Sequence, residues 1–279
     1  MSAHIVLLVL LAALLHATWN VIVKGGDNKL FECGMNALGG CLGGLALICA
    51  LGLPFPAAPG LLALSLLFHF GYYCCITATY RVADLSLCYP VMRGTAPVLT
   101  ALALCLLGDT LTARGGLGVV VLCAGIVSLA VEQRFVRRAP TRGLLLALRT
   151  SVCIMCYTLA DGFGARAAGD ALAYACWLHV GNVLALHCCI VPRQAREYAG
   201  YVRRFWRHGL VGGLAGFASY GIAIWAMSVA PMALVAALRE TSVIFGMLMA
   251  VCFLGEKLTL LRVGAIGLVL AGAMLLRLG

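Results

Sequence analysis

Charged residues are scarce in this sequence. Of 279 residues, 11% are charged and 63% are hydrophobic, and only ten are acidic. A soluble domain is about one-quarter charged and about half apolar. This chain has too little polar surface to cover a water-soluble body of its size. An ordinary soluble enzyme is excluded, and lipid becomes the solvent for most of the chain. There is no P-loop, G-x-S-x-G, H-E-x-x-H or zinc-ligand spacing. Those absences point away from an ATP-driven machine and from an enzyme; no cofactor or metal is expected. The residues before the first apolar run, which starts at Ile5, lack the basic stretch of a cleavable signal. That run is expected to stay in place as a membrane helix.

Cysteine is plentiful, with fourteen residues, but most lie inside apolar runs, as do Cys74, Cys75, Cys123, Cys188 and Cys189. There they act as small hydrophobes. Cys153 and Cys156 form a C-x-x-C with no second pair and no histidine partner, so no metal or redox site is expected. The formal charge of +10 does not indicate nucleic acid, because the basic residues cluster in short connections between apolar runs.

Ten runs are long and apolar enough to span a bilayer: 4–23, 31–53, 60–80, 85–107, 114–132, 143–165, 171–191, 209–229, 232–254 and 261–277. Connections after the odd-numbered runs hold fourteen lysines and arginines, including Lys24, Lys29, Arg81, Arg134, Arg193, Arg203 and Lys257; the other side holds Arg114, Arg166 and Arg277. The positive-inside rule assigns the basic side to the cytoplasm. The expected location is a plasma membrane (in a bacterium, the inner membrane), crossed many times. In "PRQAREYAGYVRRFWR" at 192–207, Tyr198, Tyr201, Val202 and Phe205 recur at helical spacing and arginines fill other positions. An amphipathic helix lying at an anionic leaflet fits that pattern.

The chain also repeats itself. "VADLSLCYPVMRGTAPVLTALALCLLGDTLT" at 82–112 and "VAPMALVAALRETSVIFGMLMAVCFLGEKLT" at 229–259 share V-A, R-x-T and G-[DE]-x-L-T at nearly equal spacing. Arg93 matches Arg239, Thr95 matches Thr241 and Gly108 matches Gly255. One further apolar run follows each copy. The expected organisation is a first five-helix repeat at 1–133, a basic linker at 134–142 and a second repeat at 143–279. An odd number of spans per copy makes the second copy enter the membrane from the opposite face. The fold class expected is therefore an all-α integral membrane protein, two inverted five-helix repeats around a central cavity. That arrangement suits alternating access.

With "LLHATWNVIVK" at 14–24, "YPVMRGTAP" at 89–97, "LLGDTLT" at 106–112, "ALRETSVIF" at 237–245 and "FLGEKLT" at 253–259, the whole chain resembles the drug/metabolite transporter superfamily, in its ten-helix EamA-like branch. The resemblance implies a cavity lined largely by helices 1, 3, 4, 6, 8 and 9, and a secondary transporter of small metabolites, often an exporter of amino acids. Some relatives carry sugar phosphates, nucleotide sugars or lipid-linked groups. Asp109 stands where the family more often has glutamate; Glu256 keeps the usual residue.

Ionisable groups inside a membrane face the protein interior or water and have partners. Arg93, Asp161, Arg239 and Glu240 are such groups. Two guanidiniums approaching the midplane from opposite faces suit a carboxylate, phosphate or phosphonate; structural pairing with a carboxylate is the alternative. Glu240 is adjacent to Arg239, so on a helix it points about 100° away and is free to meet Arg93 or to carry a coupling proton. Asp161, four residues after Tyr157, is the other coupling candidate; a salt bridge to an arginine on another helix is its structural alternative. Trp19, Asn20 and Tyr89 complete the expected substrate-binding set with Arg93, Arg239, Glu240, Tyr157 and Asp161. His16 lies one turn before Asn20. Arg149, near the start of its run, is expected to snorkel to the interface. Pro90 and Pro97 bracket Arg93 and make that helix the expected gating element, whereas the matching second-copy helix has no internal proline. The partners expected are a small-molecule substrate, the lipid bilayer and a possible proton, with no nucleic acid and the oligomeric state open. The function expected is export of amino acids or related carboxylates; a phosphate or phosphonate transporter and a lipid-headgroup flippase are the alternatives.

Overall fold

The computed structural model describes residues 2–82, 85–136, 141–254 and 259–278, and among them the chain is α-helical with no strand. The helices are α1 (Ala3–Gly25), α2 (Lys29–Leu51), α3 (Pro59–Val82), α4 (Leu85–Leu106), α5 (Ala113–Val136), α6 (Thr141–Ala167), α7 (Ala171–Val229), α8 (Met232–Arg239), α9 (Ser242–Leu254) and α10 (Leu260–Leu278). The side chains of Tyr89, Pro90, Arg81, Arg134 and Arg277, linker residues 137–140 and the second-copy motif at 255–258 lie outside the described residues.

Among the described residues, six stretches are long and apolar enough to cross a membrane: Ala3–Val23, Lys29–Leu51, Pro59–Ile76, Thr141–Ala167, Ala171–Cys188 and Ile190–Val229. Shorter apolar helices cover Val91–Leu106, Ala113–Ser128 and Val263–Leu276. Helix is the form an apolar chain takes in lipid, because it satisfies every backbone polar group within the segment. Polar residues mark several ends. The side chains of Asn28 and Asp170 accept hydrogen bonds from the first free amides of α2 and α7. Gly52 ends α2 in the left-handed conformation, φ 62°, and its N–H returns to the Ile48 carbonyl.

Two helices depart from the runs expected of the sequence. The seventh and eighth runs join into α7, which leaves helical geometry at Gln194 (φ −142°) and Phe205 (φ −116°). The residues between those bends form a short helical strap. The ninth run is divided into α8 and α9 at Glu240 and Thr241. In contrast, α4 is unbroken across Pro90 and Pro97. The discontinuity thus falls in the copy without an internal proline.

Glycine sets the closest helix contacts. The principal partner of α2 is α7, and α5 packs on α10. A Cβ at Gly39 would stand 2.6 Å from the Gly209 carbonyl oxygen, and one at Gly213 would stand 2.6 Å from the Asn36 carbonyl oxygen. Between α5 and α10, a Cβ at Gly118 would meet the Leu276 amide nitrogen at 2.9 Å. Small residues let backbones approach where lipid offers no hydrophobic drive for helix association. Around these pairs, α3 packs on α6, α1 on α7 and α9, and α4 on α5 and α6.

Loop contacts sort the ends of the bundle. Trp177 Nε1 donates to the Pro54 carbonyl at 3.0 Å, and Arg166 donates to the carbonyls of Met227 and Ala230 at 3.0 and 2.9 Å. The connections after α2, α6 and α7 therefore share one end. At the other end, Tyr201 of the strap meets Asp27 and Asn28, between α1 and α2. This grouping of ends agrees with the charge count in the sequence.

Candidate functional site

Arg93 of α4, Arg239 at the end of α8, Glu240 in the break and Asp161 of α6 are 6%, 6%, 4% and 0% exposed. Burial this deep separates them from the exposed arginines of the connections. Arg149 is exposed, as expected for a snorkelling residue.

The break in the ninth run has a local cause. The Thr241 hydroxyl donates to the Leu238 carbonyl at 2.8 Å, three residues back. Backbone bonds tighten to the same spacing: Glu240 to Ala237, Thr241 to Leu238, Val243 to Glu240 and Ile244 to Thr241, at 2.9–3.1 Å. A hydroxyl competing for a backbone carbonyl bends or breaks a helix in this way. In α4 the matching Thr95 donates to Val91, four residues back, at 2.7 Å, and also meets the Ser151 hydroxyl at 2.6 Å. The α-helical spacing survives there.

Glu240 meets Arg93 across the bundle, with Oε2 2.7 Å from Nε. Of the alternatives open for Glu240, the geometry displays the pairing. The same contact ties the break in the second copy to the unbroken helix of the first. Gly94, the residue matching Glu240, shows why the arrangement is one-sided: a Cβ there would lie 2.9 Å from Val127 Cγ2 and 3.3 Å from the Cys123 carbonyl oxygen. Position 94 is packed against α5, and a glutamate does not fit.

Arg239 is placed differently. Its guanidinium carbon lies 4.8 Å from the centroid of the Tyr220 ring, a cation–π distance. Among the described residues no carboxylate lies within salt-bridge distance of it. The Tyr220 hydroxyl donates to Asp161 Oδ2, and the Tyr174 hydroxyl donates to Oδ1 at 3.2 Å. The salt bridge considered for Asp161 is absent among the described residues; two phenols and the Ser65 hydroxyl hold it instead. Arg239, the Tyr220 ring and Asp161 thus form a chain in which tyrosine separates cation from carboxylate.

Aromatic groups continue from this chain. The His69 ring stacks on Tyr157 with centroids 4.1 Å apart, and Tyr72 and Tyr220 present edges to Tyr157 at 5.8 and 6.3 Å. His69 Nδ1 contacts the Ser65 hydroxyl at 3.1 Å. On α1, Trp19 Nε1 donates to His16 Nδ1 at 3.1 Å, and His16 lies within electrostatic reach of both Arg93 and Arg239. Asn20 bonds the His16 backbone carbonyl at 2.7 Å, so its amide is spent on its own helix.

Of the site residues expected from sequence, Arg93, Arg239, Glu240, Tyr157 and Asp161 come together, Trp19 joins them through His16, and Asn20 does not. The side chains of Tyr89 and Pro90 lie outside the described residues. Tyr174, His69 and Tyr220 stand outside the binding set expected from sequence. Their one signal was a polar aromatic ring within an apolar run. Trp177 ties the loop at Pro54 and packs edge-to-face with Phe55.

Residues 141–278 match the model of the EamA-like transporter family. A crystal structure described only as "Crystal structure of protein" shares the fold over 100% of this chain and 98% of its own, with a TM-score of 0.77 and 18% identity. At that identity the likeness concerns the fold alone. No curated protein sequence matches the chain. Residues 141–278 thus carry the match to the EamA-like transporter family, membrane transporters of small molecules within the drug/metabolite transporter superfamily.

Proposed function

We propose that this protein is a secondary transporter that exports a small zwitterion, an amino acid or close relative, in exchange for a proton. The observation that carries the proposal is the inequality of the two arginines. Arg93 is neutralised by Glu240, while Arg239 stands on the Tyr220 ring with no carboxylate at salt-bridge distance among the described residues. A substrate carboxylate is the natural bidentate partner for that guanidinium. Pairing of Arg93 with Glu240 weakens the alternative of a phosphate or phosphonate gripped by two free guanidiniums.

Asp161 is the coupling carboxylate in this proposal. It is fully buried and held by two phenols and the Ser65 hydroxyl, and among the described residues no cation at bonding distance fixes it in the ionised form. A substrate ammonium and a proton would compete for it, and competition for one carboxylate gives antiport. An anion lacking the amine would instead bind best with Asp161 protonated, which gives symport. Glu240 serves as the fixed counter-ion of Arg93. The helix pairing supports alternating access between inverted repeats 1–133 and 143–279: α2 meets the first part of α7 through Gly44, where a Cβ would stand 2.9 Å from the Cys176 carbonyl oxygen, and α5 meets α10 through Gly118, as elements beside a two-fold axis would. Ten spans, both termini outside and the basic connections in the cytoplasm belong to the same proposal.

Flux into proteoliposomes under an imposed pH gradient tests it. Wild-type protein should move a zwitterionic amino acid in exchange for protons travelling the other way, and Asp161→Asn should bind the substrate more weakly and lose the response of flux to pH. Cotransport of proton and substrate in the same direction would overturn the antiport reading and favour the anion.

A further inference from the structure

The strap between the two bends of α7 takes no part in the central site. Its residues nevertheless form two faces. Arg196, Arg203 and Arg204, spaced i, i+7 and i+8, share one face of a helix, and all are exposed, as is Arg207 just beyond the second bend. Across 192–207 there are five arginines and one glutamate. Trp206 is 53% exposed, and Arg207 lies 5.4 Å from its ring centroid. A tryptophan beside a cation, outside an apolar core, is the composition of a membrane–water boundary.

The opposite face is tied down. Tyr198 is 6% exposed, packs on Phe31 with centroids 5.3 Å apart and meets His187 Nε2 through its hydroxyl at 3.1 Å. Tyr201 donates to Glu32 Oε1 at 2.7 Å and accepts from the Asp27 backbone N–H at 3.2 Å. Glu32 itself is 2% exposed. A cavity of about 320 Å³ lies at this junction, lined by Ile22, Gly26, Asp27, Glu32, Tyr201 and His208 among others. The strap therefore bridges the α1–α2 end of one copy and the lipid-facing surface.

We propose that the arginine face of residues 195–207 binds the headgroups of anionic phospholipids, and that this binding clamps the α1–α2 connection through Tyr201 and Glu32. Charge complementarity selects the occupant: exposed guanidiniums beside an exposed tryptophan match phosphates lying in a membrane plane. The clamped connection continues from α1, whose His16 lies within electrostatic reach of both buried arginines. Lipid composition thereby regulates the stiffness of that end of the transporter. This inference is independent of the substrate and of the coupling carboxylate.

Amide hydrogen exchange on the full-length protein tests it, in nanodiscs of phosphatidylcholine alone and with added phosphatidylglycerol. The expected result is slower exchange in 195–207 and in 26–32 with the anionic lipid. An arginine near an anionic surface is worth about fivefold in equilibrium, so R203Q/R204Q should remove on the order of twentyfold of the protection. High salt should weaken protection in the wild-type protein, a control that needs no variant to fold. Tyr201→Phe should leave 195–207 responsive to lipid while 26–32 no longer follows. Equal exchange in both nanodiscs, an undiminished response in R203Q/R204Q, or coupled response retained in Tyr201→Phe would overturn the proposal. Inorganic phosphate added to phosphatidylcholine nanodiscs should have no effect; slowing by phosphate alone would replace the lipid with a soluble anion and also overturn it.

Discussion

Arg93 and Arg239 occupy matching positions in the two sequence copies, yet one faces a carboxylate and the other a tyrosine ring. Removing one member of a buried ion pair leaves an uncompensated charge, at a cost of roughly 3–5 kcal/mol. Glu240→Ala should therefore lower thermal stability sharply in detergent. Replacing both Arg93 and Glu240 by methionine should recover most of the loss, which a double-mutant cycle of melting temperatures would measure. Arg239→Gln should behave in the opposite way. With no carboxylate of its own to strand, the change should leave stability within about 1 kcal/mol of wild type. Substrate flux should nevertheless disappear. A large loss of stability in Arg239→Gln would return this residue to a structural role. Tyr220→Phe keeps the ring beneath Arg239 and removes the hydroxyl from Asp161. It should preserve substrate affinity while shifting the pH dependence of flux.

Helix-scale behaviour depends on two small features, a threonine hydroxyl and rows of glycine. Thr241→Val removes the hydroxyl that competes for the Leu238 carbonyl. The α8–α9 junction should then relax toward a continuous helix, and turnover should fall more than half-saturation changes, as read from initial rates across substrate concentration. Gly213→Ala places a methyl within 2.6 Å of the Asn36 carbonyl oxygen. Neither backbone can retreat without separating α2 from α7, and overpacking of that kind typically costs about 1–3 kcal/mol. Gly116→Ala on α5 is the matched control, since a Cβ there meets nothing within 4 Å. It should be neutral or gain up to about 1 kcal/mol from helix propensity. Melting temperatures of the two variants compare these effects directly.

At the scale of the whole molecule, the connections after α2, α6 and α7 meet at one end, while the strap and the α1–α2 connection meet at the other. A carrier that rocks about its middle must loosen such ties in alternation. Trp177→Phe keeps the ring against Phe55 but removes the donor to Pro54. It should raise the accessibility of that end to a membrane-impermeant thiol reagent, read at a cysteine placed in the 52–58 connection of a variant lacking reactive background thiols. Unchanged labelling would show that the tryptophan tie does not hold the end closed.

The helices were legible because an apolar chain in lipid has few alternatives: its backbone must satisfy itself, and hydropathy marks where it does so. Duplicated R-x-T motifs singled out Arg93 and Arg239, and scarcity of charge made Glu240 and Asp161 conspicuous. Partnership was a different matter. That Glu240 reaches Arg93, that Asp161 rests on Tyr174 and Tyr220, and that position 94 has no room for a side chain all depend on contacts between helices far apart in sequence. Nor did composition locate the break. The prolines lie in α4, where the helix continues, whereas Thr241 divides the ninth run by a hydroxyl that competes with the backbone for one carbonyl. Sequence alone thus determined solvent, helices and the inventory of buried charge. Which charge meets a carboxylate and which rests on an aromatic ring was decided only when packing set distances of a few ångströms, because a side chain's charge is local but its neutralisation belongs to the whole fold.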